Sequence, residues 1–308
     1  QRQMCIRDSF PDDGDNVQEL IKKADIALYE AKKGGKNRIE FYDENVEATS
    51  FKRLDLEKNM RYATTNSCQE FEVYYQPIVD ISKPGDPCSG AEALIRWNSE
   101  AMGMISPSEF IPLAEYLGLI NPIGSFALKE ACHRCKYWND MGHPEYHVNV
   151  NLSVVQLLQN DMKEKVREVL EETKMDPANL TLEVTESLAI NDMKRMKKIL
   201  SDIKSLGVKV ALDDFGTGYS SLNHIRELPI DIIKIDRCFI IDIGKDEYAE
   251  AFVKMVSELA ETIGVRICVE GVEETEQVEK LRSMKVQYIQ GYYYGKPMRA
   301  EDFEKKYL

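Results

Sequence analysis

The segment VALDDFGTGYSSL, Val210 to Leu222, places two adjacent carboxylates, Asp213 and Asp214, at the end of an apolar run and follows them with Gly216 and Gly218. Neighbouring negative charges repel, and a buried pair is strongly destabilising unless a positive charge sits between them. The segment is therefore either a solvated loop or the holder of a cation. The same design recurs along the chain. From Phe71 onward, FEVYYQPIVD (71–80), GAEALIRW (90–97), HVNVNLS (147–153), LTLEVTE (180–186), KVALDDF (209–215), DIIKID (231–236), RICVEGV (266–272) and YIQGYYYG (288–295) read as strands. Between the later ones lie the helical patterns VQLLQNDMKEKVREVLEETK (155–174), DMKRMKKILSDIKSLG (192–207) and EAFVKMVSELAETIG (250–264), closed by glycine or a proline-containing turn. Eight strands with intervening helices in about 240 residues predict an α/β fold of the (β/α)8 barrel type, with a doubly wound open sheet as the alternative.

Polar residues fall near the C-terminal ends of these strands: Glu92, Asn151, Glu183, Asp213 with Asp214, Lys234, Glu270 and Gln290. In a barrel those ends converge on one face, where such folds do their chemistry. One buried glutamate is usually a satisfied structural residue, but a ring of acids and amides is hard to explain that way. The ring is rich in oxygen and holds neither histidine nor cysteine, so the expected ions are hard ones, Mg²⁺ or Mn²⁺. Five carboxylates and Asn151 exceed the needs of one magnesium ion, and two ions roughly 3.5–4 Å apart with one bridging aspartate would use them. Each of the adjacent aspartates would then face a metal. Arg96 follows Glu92 by four residues, on the same face of its strand, and can fork onto a phosphate. Lys234, in the middle of an apolar strand, needs a partner: an ion pair with Asp236, a role in orienting an attacking water, or both.

Composition sets the bounds. The chain has 308 residues, 43% hydrophobic and 30% charged, which describes an ordinary soluble globular protein. No apolar stretch reaches membrane-spanning length, so a cytoplasmic protein is expected, although a longer parent chain could be tethered to a membrane. A formal net charge of −13 argues against a broad nucleic-acid or acidic-membrane surface. Seven scattered cysteines do not form a disulfide framework and fit a reducing compartment. Cys132 and Cys135 form a CxxC, but no second ligand pair follows, and KEACHRCKYW reads as one amphipathic helix.

At the N-terminus, VQELIKKADIALYEAKK (17–33) reads as a helix, stopped by Gly34 and Gly35, and NRIEFYD (37–43) as a short strand. The pair resembles the closing helix and strand of a GGDEF domain, the diguanylate cyclase module, without its nucleotide-binding motif. Residues 1–44 are accordingly expected to be a truncated remnant of that domain, with 1–9 unassigned, and 45–51 a linker. RLDLEKNMRYATTN (53–66) reads as a helix with Leu54, Leu56 and Met60 on its apolar side.

EALIRW, NVNLS, LEVTES, ALDDFGTGYSSL, IKID, VEGVE and IQGYYYGKP, in this order, resemble the EAL domain family of cyclic di-GMP phosphodiesterases. The likeness covers residues 52–308. It implies a modified TIM barrel and metal-dependent hydrolysis of cyclic di-GMP to linear pGpG. It also implies roles. Glu92, Asn151, Glu183 and Asp213 would hold one metal, and Asp213, Asp214 and Glu270 the other, with Glu270 the candidate general base. Lys234 would position the nucleophilic water and Gln290 would support the water or the substrate. Gln76, Leu94 and Arg96 would contact the dinucleotide, while Glu186, and with it Asp236, would anchor the glycine-containing loop. A homodimer, formed near the loop after Asp214, and upstream GGDEF or sensor domains in a longer parent are further implications. Two other functions compete: a cyclic di-GMP receptor that binds without turnover, and another barrel phosphodiesterase such as a glycerophosphodiester hydrolase. The latter would be expected to use histidines at the strand ends, where this chain has none.

Overall fold

The computed structural model describes Ile21, Lys23 and residues 44–186, 193–217 and 227–308, and within these ranges the side chains from Lys52 onward. The chain divides into two compact units, Gln1–Thr65 and Asn66–Leu308. The expected GGDEF-like helix and strand lie outside the described residues, apart from helical Ile21 and Lys23. In the first unit, helix α1 (Glu44–Thr65) runs through the segment expected to be a linker, so the boundary expected at 51/52 falls inside a helix. Its buried residues are Leu56, Met60 and Ala63, a stripe at helical spacing. Leu54 was expected on that face but is 62% exposed, because two residues along a helix turn a side chain most of the way to the opposite side.

The second unit is built on β1 (Phe71–Asp80), β2 (Cys88–Ser99), β3 (Gly103–Ile105), β4 (His147–Asn151), β5 (Leu180–Thr185), β6 (Lys209–Phe215), β7 (Ile232–Ile235), β8 (Arg266–Val269) and β9 (Tyr288–Gln290). Hydrogen bonding runs β1-β9-β8-β7-β6-β5-β4-β2-β3, and a further β1–β2 pairing closes an eight-stranded barrel with β3 as an outlying strand. β1 is antiparallel to both of its neighbours, whereas β2, β4 and all later barrel neighbours pair in parallel. The cause is local. A parallel link needs a crossover of a dozen or more residues, whereas residues 81–87 make a short turn through Pro84, Gly85 (φ 80°) and Asp86 (φ 48°). The (β/α)8 expectation therefore holds in a mixed form, with one strand reversed.

Helices cover the outside: α2 (Pro107–Leu117), α3 (Ile120–Asp140), α4 (Val154–Leu157), α5 (Met162–Thr173), α6 (Met193–Lys204), α7 (Glu247–Ile263), α8 (Thr275–Ser283) and α9 (Ala300–Tyr307). Local chemistry marks their ends. Ser153 and Gln156 form a capping box on α4, Asp246 caps α7 by accepting from Tyr248 N at 2.9 Å, and Gly264 ends α7 in a left-handed conformation. The single helix expected over 155–174 is broken over Leu158–Asp161, and Asp161 takes the N-cap position of α5. Cys132 and Cys135 are fully buried in α3, among the core residues between helices and sheet, as an amphipathic helix requires. Among the described residues no helix is long and apolar enough to cross a membrane.

Inside the barrel, Ile78, Ala211, Ile232, Cys268 and Tyr288 form an apolar cluster of their own. Ala211, Ile232, Cys268 and Tyr288 each precede a predicted mouth residue by two positions, and Ile78 follows Gln76 by two because β1 runs the other way. Strand alternation thus stacks an apolar layer directly beneath the polar one. Gly90 belongs to the same layer, and a Cβ there would lie 2.0 Å from the His147 carbonyl, so β2 and β4 can approach this closely only with glycine. β9 is shorter than the strand expected over 288–295. It stops at Gln290 because Gly291 lies against the Val272 backbone, where a Cβ would meet the carbonyl at 2.0 Å, and Tyr292–Tyr294 turn away.

His147 lies buried next to the apolar layer, its ring 6.1 Å from that of Tyr288. Burial, with the charges of Lys209 and Arg266, pushes its pKa down to about 4. Below about pH 6.5 the unfolded chain takes up a proton that the folded chain refuses until about pH 4, so this residue's contribution is full above 6.5 and is lost as pH falls. Urea unfolding at pH 7.5 and 5 is expected to show a smaller pH-dependent loss in His147→Gln than in the parent. The difference should approach about 1.4 kcal/mol per pH unit at most, and identical slopes would remove the assignment.

Candidate active site

The polar layer converges on Lys234. This residue sits in β7, whose four residues are all buried, and its side chain is 0% exposed. The ammonium lies 2.5 Å from Glu270 Oε1, 2.8 Å from Glu183 Oε2, 3.3 Å from Glu92 Oε2 and 3.3 Å from Asp213 Oδ1. Three strands and the residue that follows β8 thus each supply a carboxylate to one cation. The sequence also allowed an ion pair with Asp236. Instead, the Asp236 carboxylate accepts from Cys238 N at 2.9 Å and caps the single 3₁₀ turn Arg237–Phe239.

Amides satisfy the remaining oxygens of the two deepest acids. Asn151 donates to Glu92 Oε1 at 2.5 Å, Gln290 to Glu92 Oε2 at 2.6 Å, and Asn149 to Glu183 Oε1 at 2.8 Å. Gln290 also donates to Gln76 Oε1 at 3.0 Å, and Gln76 in turn to the Gly295 carbonyl at 3.2 Å. Gln76 reaches this network from the reversed strand, since antiparallel register sets it opposite Glu92. Asn149 was not singled out in the sequence. Its signal was present: it is a polar residue in an apolar strand, two positions before Asn151 and on the same face. Gln290 Oε1 and Asn149 Oδ1 are buried acceptors without a hydrogen-bond partner.

The side of the site nearer to solvent is made by Asp213, Asp214 and Glu270, whose carboxylate oxygens lie within 4.8 Å of one another. This grouping can hold a metal ion. Consecutive strand residues normally point to opposite faces, and β6 escapes that rule through a register shift between Leu212 and Phe215 in its pairing with β7. Asp214 takes up the irregularity with φ 55°, a left-handed conformation that aspartate tolerates better than most residues. Asp213 is buried and Asp214 exposed, and Asp214 N donates to Asp213 Oδ1 at 3.0 Å. The next turn is tied back by Glu186, whose Oε2 accepts from Gly216 N at 2.9 Å. Gly216 has φ 100°, and a Cβ on it would lie 2.5 Å from the Phe239 ring. Gly218, the rest of the expected mobile loop and the surface expected for dimer contacts there lie outside the described residues.

Electrostatics divides the acids. Burial opposes the charge on Lys234, but Asp213, Glu183, Glu270 and Glu92 outweigh it and hold the ammonium's pKa well above the lysine range. Burial also raises Glu92, yet Lys234 and the amides of Gln290 and Asn151 bring it below the usual glutamate value. Glu183 is pushed well up, by burial first and then by the charge of Glu92, against the pull of Lys234. Burial raises Glu270 to about 7, with Lys234 opposing and Asp213 adding to the rise. Burial and then Asp213 raise Asp214.

Arg96 and Leu94 stand further along β2 on the face of Glu92, both half-buried. The Arg96 guanidinium lies 5.6 Å from the centre of the Tyr74 ring and donates to the Ile95 carbonyl at 2.9 Å. Its five donors are only partly used by this one bond.

The sequence profile of the EAL domain family matches residues 58–297. The bifunctional diguanylate cyclase/cyclic di-GMP phosphodiesterase MucR of Pseudomonas aeruginosa is 38% identical over 292 residues, 95% of this chain and 42% of that protein. The cyclic di-GMP phosphodiesterase PdeR of Escherichia coli is 33% identical over 297 residues, 96% of this chain and 44% of that protein. This chain therefore spans less than half the length of either relative. Among solved structures, the PaMucR phosphodiesterase in its c-di-GMP complex has a TM-score of 0.76 at 38% identity, covering 81% of this chain and 99% of that one. With the profile matching most of its length and the barrel shared at this identity, the chain belongs to the EAL domain family.

Proposed function

We propose that this chain hydrolyses cyclic di-GMP to linear pGpG with two divalent ions, Mg²⁺ or Mn²⁺. The observation that carries the reading is the convergence of Glu92, Glu183, Asp213 and Glu270 on one cation beside the open Asp213–Asp214–Glu270 group. The donor set is all oxygen, which suits hard ions, and the unpartnered acceptor on Gln290 leaves capacity for a water or a substrate hydroxyl. Glu92, Asn151, Glu183 and Asp213 would hold one ion, and Asp213, Asp214 and Glu270 the other. Such ions, when bound, supply Lewis acidity that activates water and offsets charge at phosphorus.

The chain's own groups do the rest. Glu270, with its pKa raised to about 7, is poised to accept the proton of the attacking water, and Lys234 at 2.5 Å fixes the orientation of that carboxylate. Attack in line on one phosphorus breaks its bond to a ribose oxygen, which leaves as a hydroxyl on taking up a proton, and opens the ring. Arg96 has guanidinium donors in reserve for the second phosphate, with Leu94 on the same face of β2 and Gln76 opposite Glu92 on β1 as further contacts to the dinucleotide. Glu186 anchors the turn after Asp214 through Gly216. The relatives support the reading by name, and MucR's designation as a bifunctional diguanylate cyclase supports taking residues 1–44 as the tail of a GGDEF domain in a longer protein.

Chromatography of cyclic di-GMP incubated with the protein and Mg²⁺ is expected to show pGpG, and none with chelator. Binding without product under both conditions would favour the receptor function and sink the enzymatic one. Glu92→Gln and Asp213→Asn should each lower turnover at least about 100-fold while leaving the circular dichroism spectrum unchanged. Full turnover in both would overturn the ligand assignment. Glu186→Ala is expected to raise the Mg²⁺ concentration needed for half-maximal activity more than it lowers the melting temperature, and an unaltered magnesium dependence would refute the anchoring role. Because a divalent ion competes with the proton on Glu270, Mn²⁺ binding followed by electron paramagnetic resonance should tighten between pH 6 and pH 8. Affinity independent of pH would exclude Glu270 as a ligand.

A further inference from the structure

We propose that the Lys234 ammonium is the barrel's resident counter-ion: it compensates the buried carboxylates well enough for the barrel to fold without a divalent ion, and an entering ion must compete with it for the same oxygens. The competition half rests on the metal-binding reading above, whereas the folding half stands on the ion pairs alone.

Geometry supports both halves. One buried ammonium contacts Glu92, Glu183, Asp213 and Glu270 at 2.5–3.3 Å, and these are four of the five acids that would ligate metal, Asp214 being the fifth. Among the described residues no other lysine or arginine forms an ion pair with any of them. Four such contacts describe a charge held at the centre of a cage. The amides of Asn149, Asn151 and Gln290 satisfy the oxygens of Glu92 and Glu183 further. Without the ammonium, buried acids would face one another across an apolar floor formed by Ile78, Ala211, Ile232, Cys268 and Tyr288. Breaking a buried pair from one side leaves uncompensated charge, which is among the most damaging changes a fold can suffer.

The test compares urea unfolding and Mn²⁺ binding in the parent, in Lys234→Met and in Lys234→Met/Glu183→Gln. In EDTA the parent is expected to unfold cooperatively, whereas Lys234→Met should lose on the order of half its urea midpoint or more. Adding Glu183→Gln removes one acid together with the cation and should recover part of that loss. If Lys234→Met does not fold in EDTA at all, the double variant supplies the comparison, and its failure to recover would overturn the proposal. A Lys234→Met midpoint in EDTA equal to the parent's would overturn the counter-ion role whether or not metal binds. Mn²⁺ is expected to raise the midpoint of Lys234→Met more than the parent's, and to bind the variant about tenfold tighter or more, by the reciprocity of competing ligands. Weaker or equal Mn²⁺ binding in the variant would overturn the competition half. Absence of Mn²⁺ binding to the parent would defeat the metal reading and leave the folding half to the EDTA comparison.

Discussion

The ammonium of Lys234 is the point on which the barrel's polar layer depends. Strand alternation aims one side chain in two at the barrel axis, and on β2, β5, β6 and just past the end of β8 the residue aimed there at mouth level is an acid. Carboxylates at that density repel and lose their hydration, so the arrangement persists only around positive charge. Lys234 supplies it from β7, between the strands that carry Asp213 and Glu270. The same contacts sort the acids by proton affinity, with Glu92 held low and Glu183 and Glu270 raised. A group of oxygen donors graded in this way is suited to receive both a proton and a hard cation.

Two departures from a regular barrel shape the site. The reversed β1 brings Gln76 opposite Glu92 in antiparallel register, and through Gln290 it joins three strands into one hydrogen-bonded set. The register shift in β6 lets Asp213 and Asp214 serve the same side of the sheet, at the expense of a left-handed aspartate. Both are backbone solutions to the problem of crowding polar groups at one end of a closed sheet.

Much of this was legible in the sequence. Six of the eight barrel strands were recognisable to within two residues of their observed limits, because a buried strand is a short apolar run bounded by breakers. The mouth residues were legible for the same reason: Glu92, Glu183, Lys234 and Glu270 each directly follow an apolar residue inside a strand run. Other features were misread for lack of long-range information. β9 was drawn too long because the Val272 backbone that crowds Gly291 is distant in sequence. Leu54 was placed on the buried face of α1 because apolarity alone does not give a residue's azimuth.

By itself the sequence determined the alternation of strands and helices and the oxygen-rich chemistry of the mouth, since both follow from residue type and local spacing. Only the tertiary structure decided the direction of β1, the partners of Lys234 and the role of Asn149. Each of these depends on which strands become neighbours when the sheet closes. The choice of Glu183 over Asp236 as a partner for Lys234 shows the reason. In sequence Asp236 is two residues away, but hydrogen bonding across a closed barrel brings an acid more than fifty residues distant to 2.8 Å.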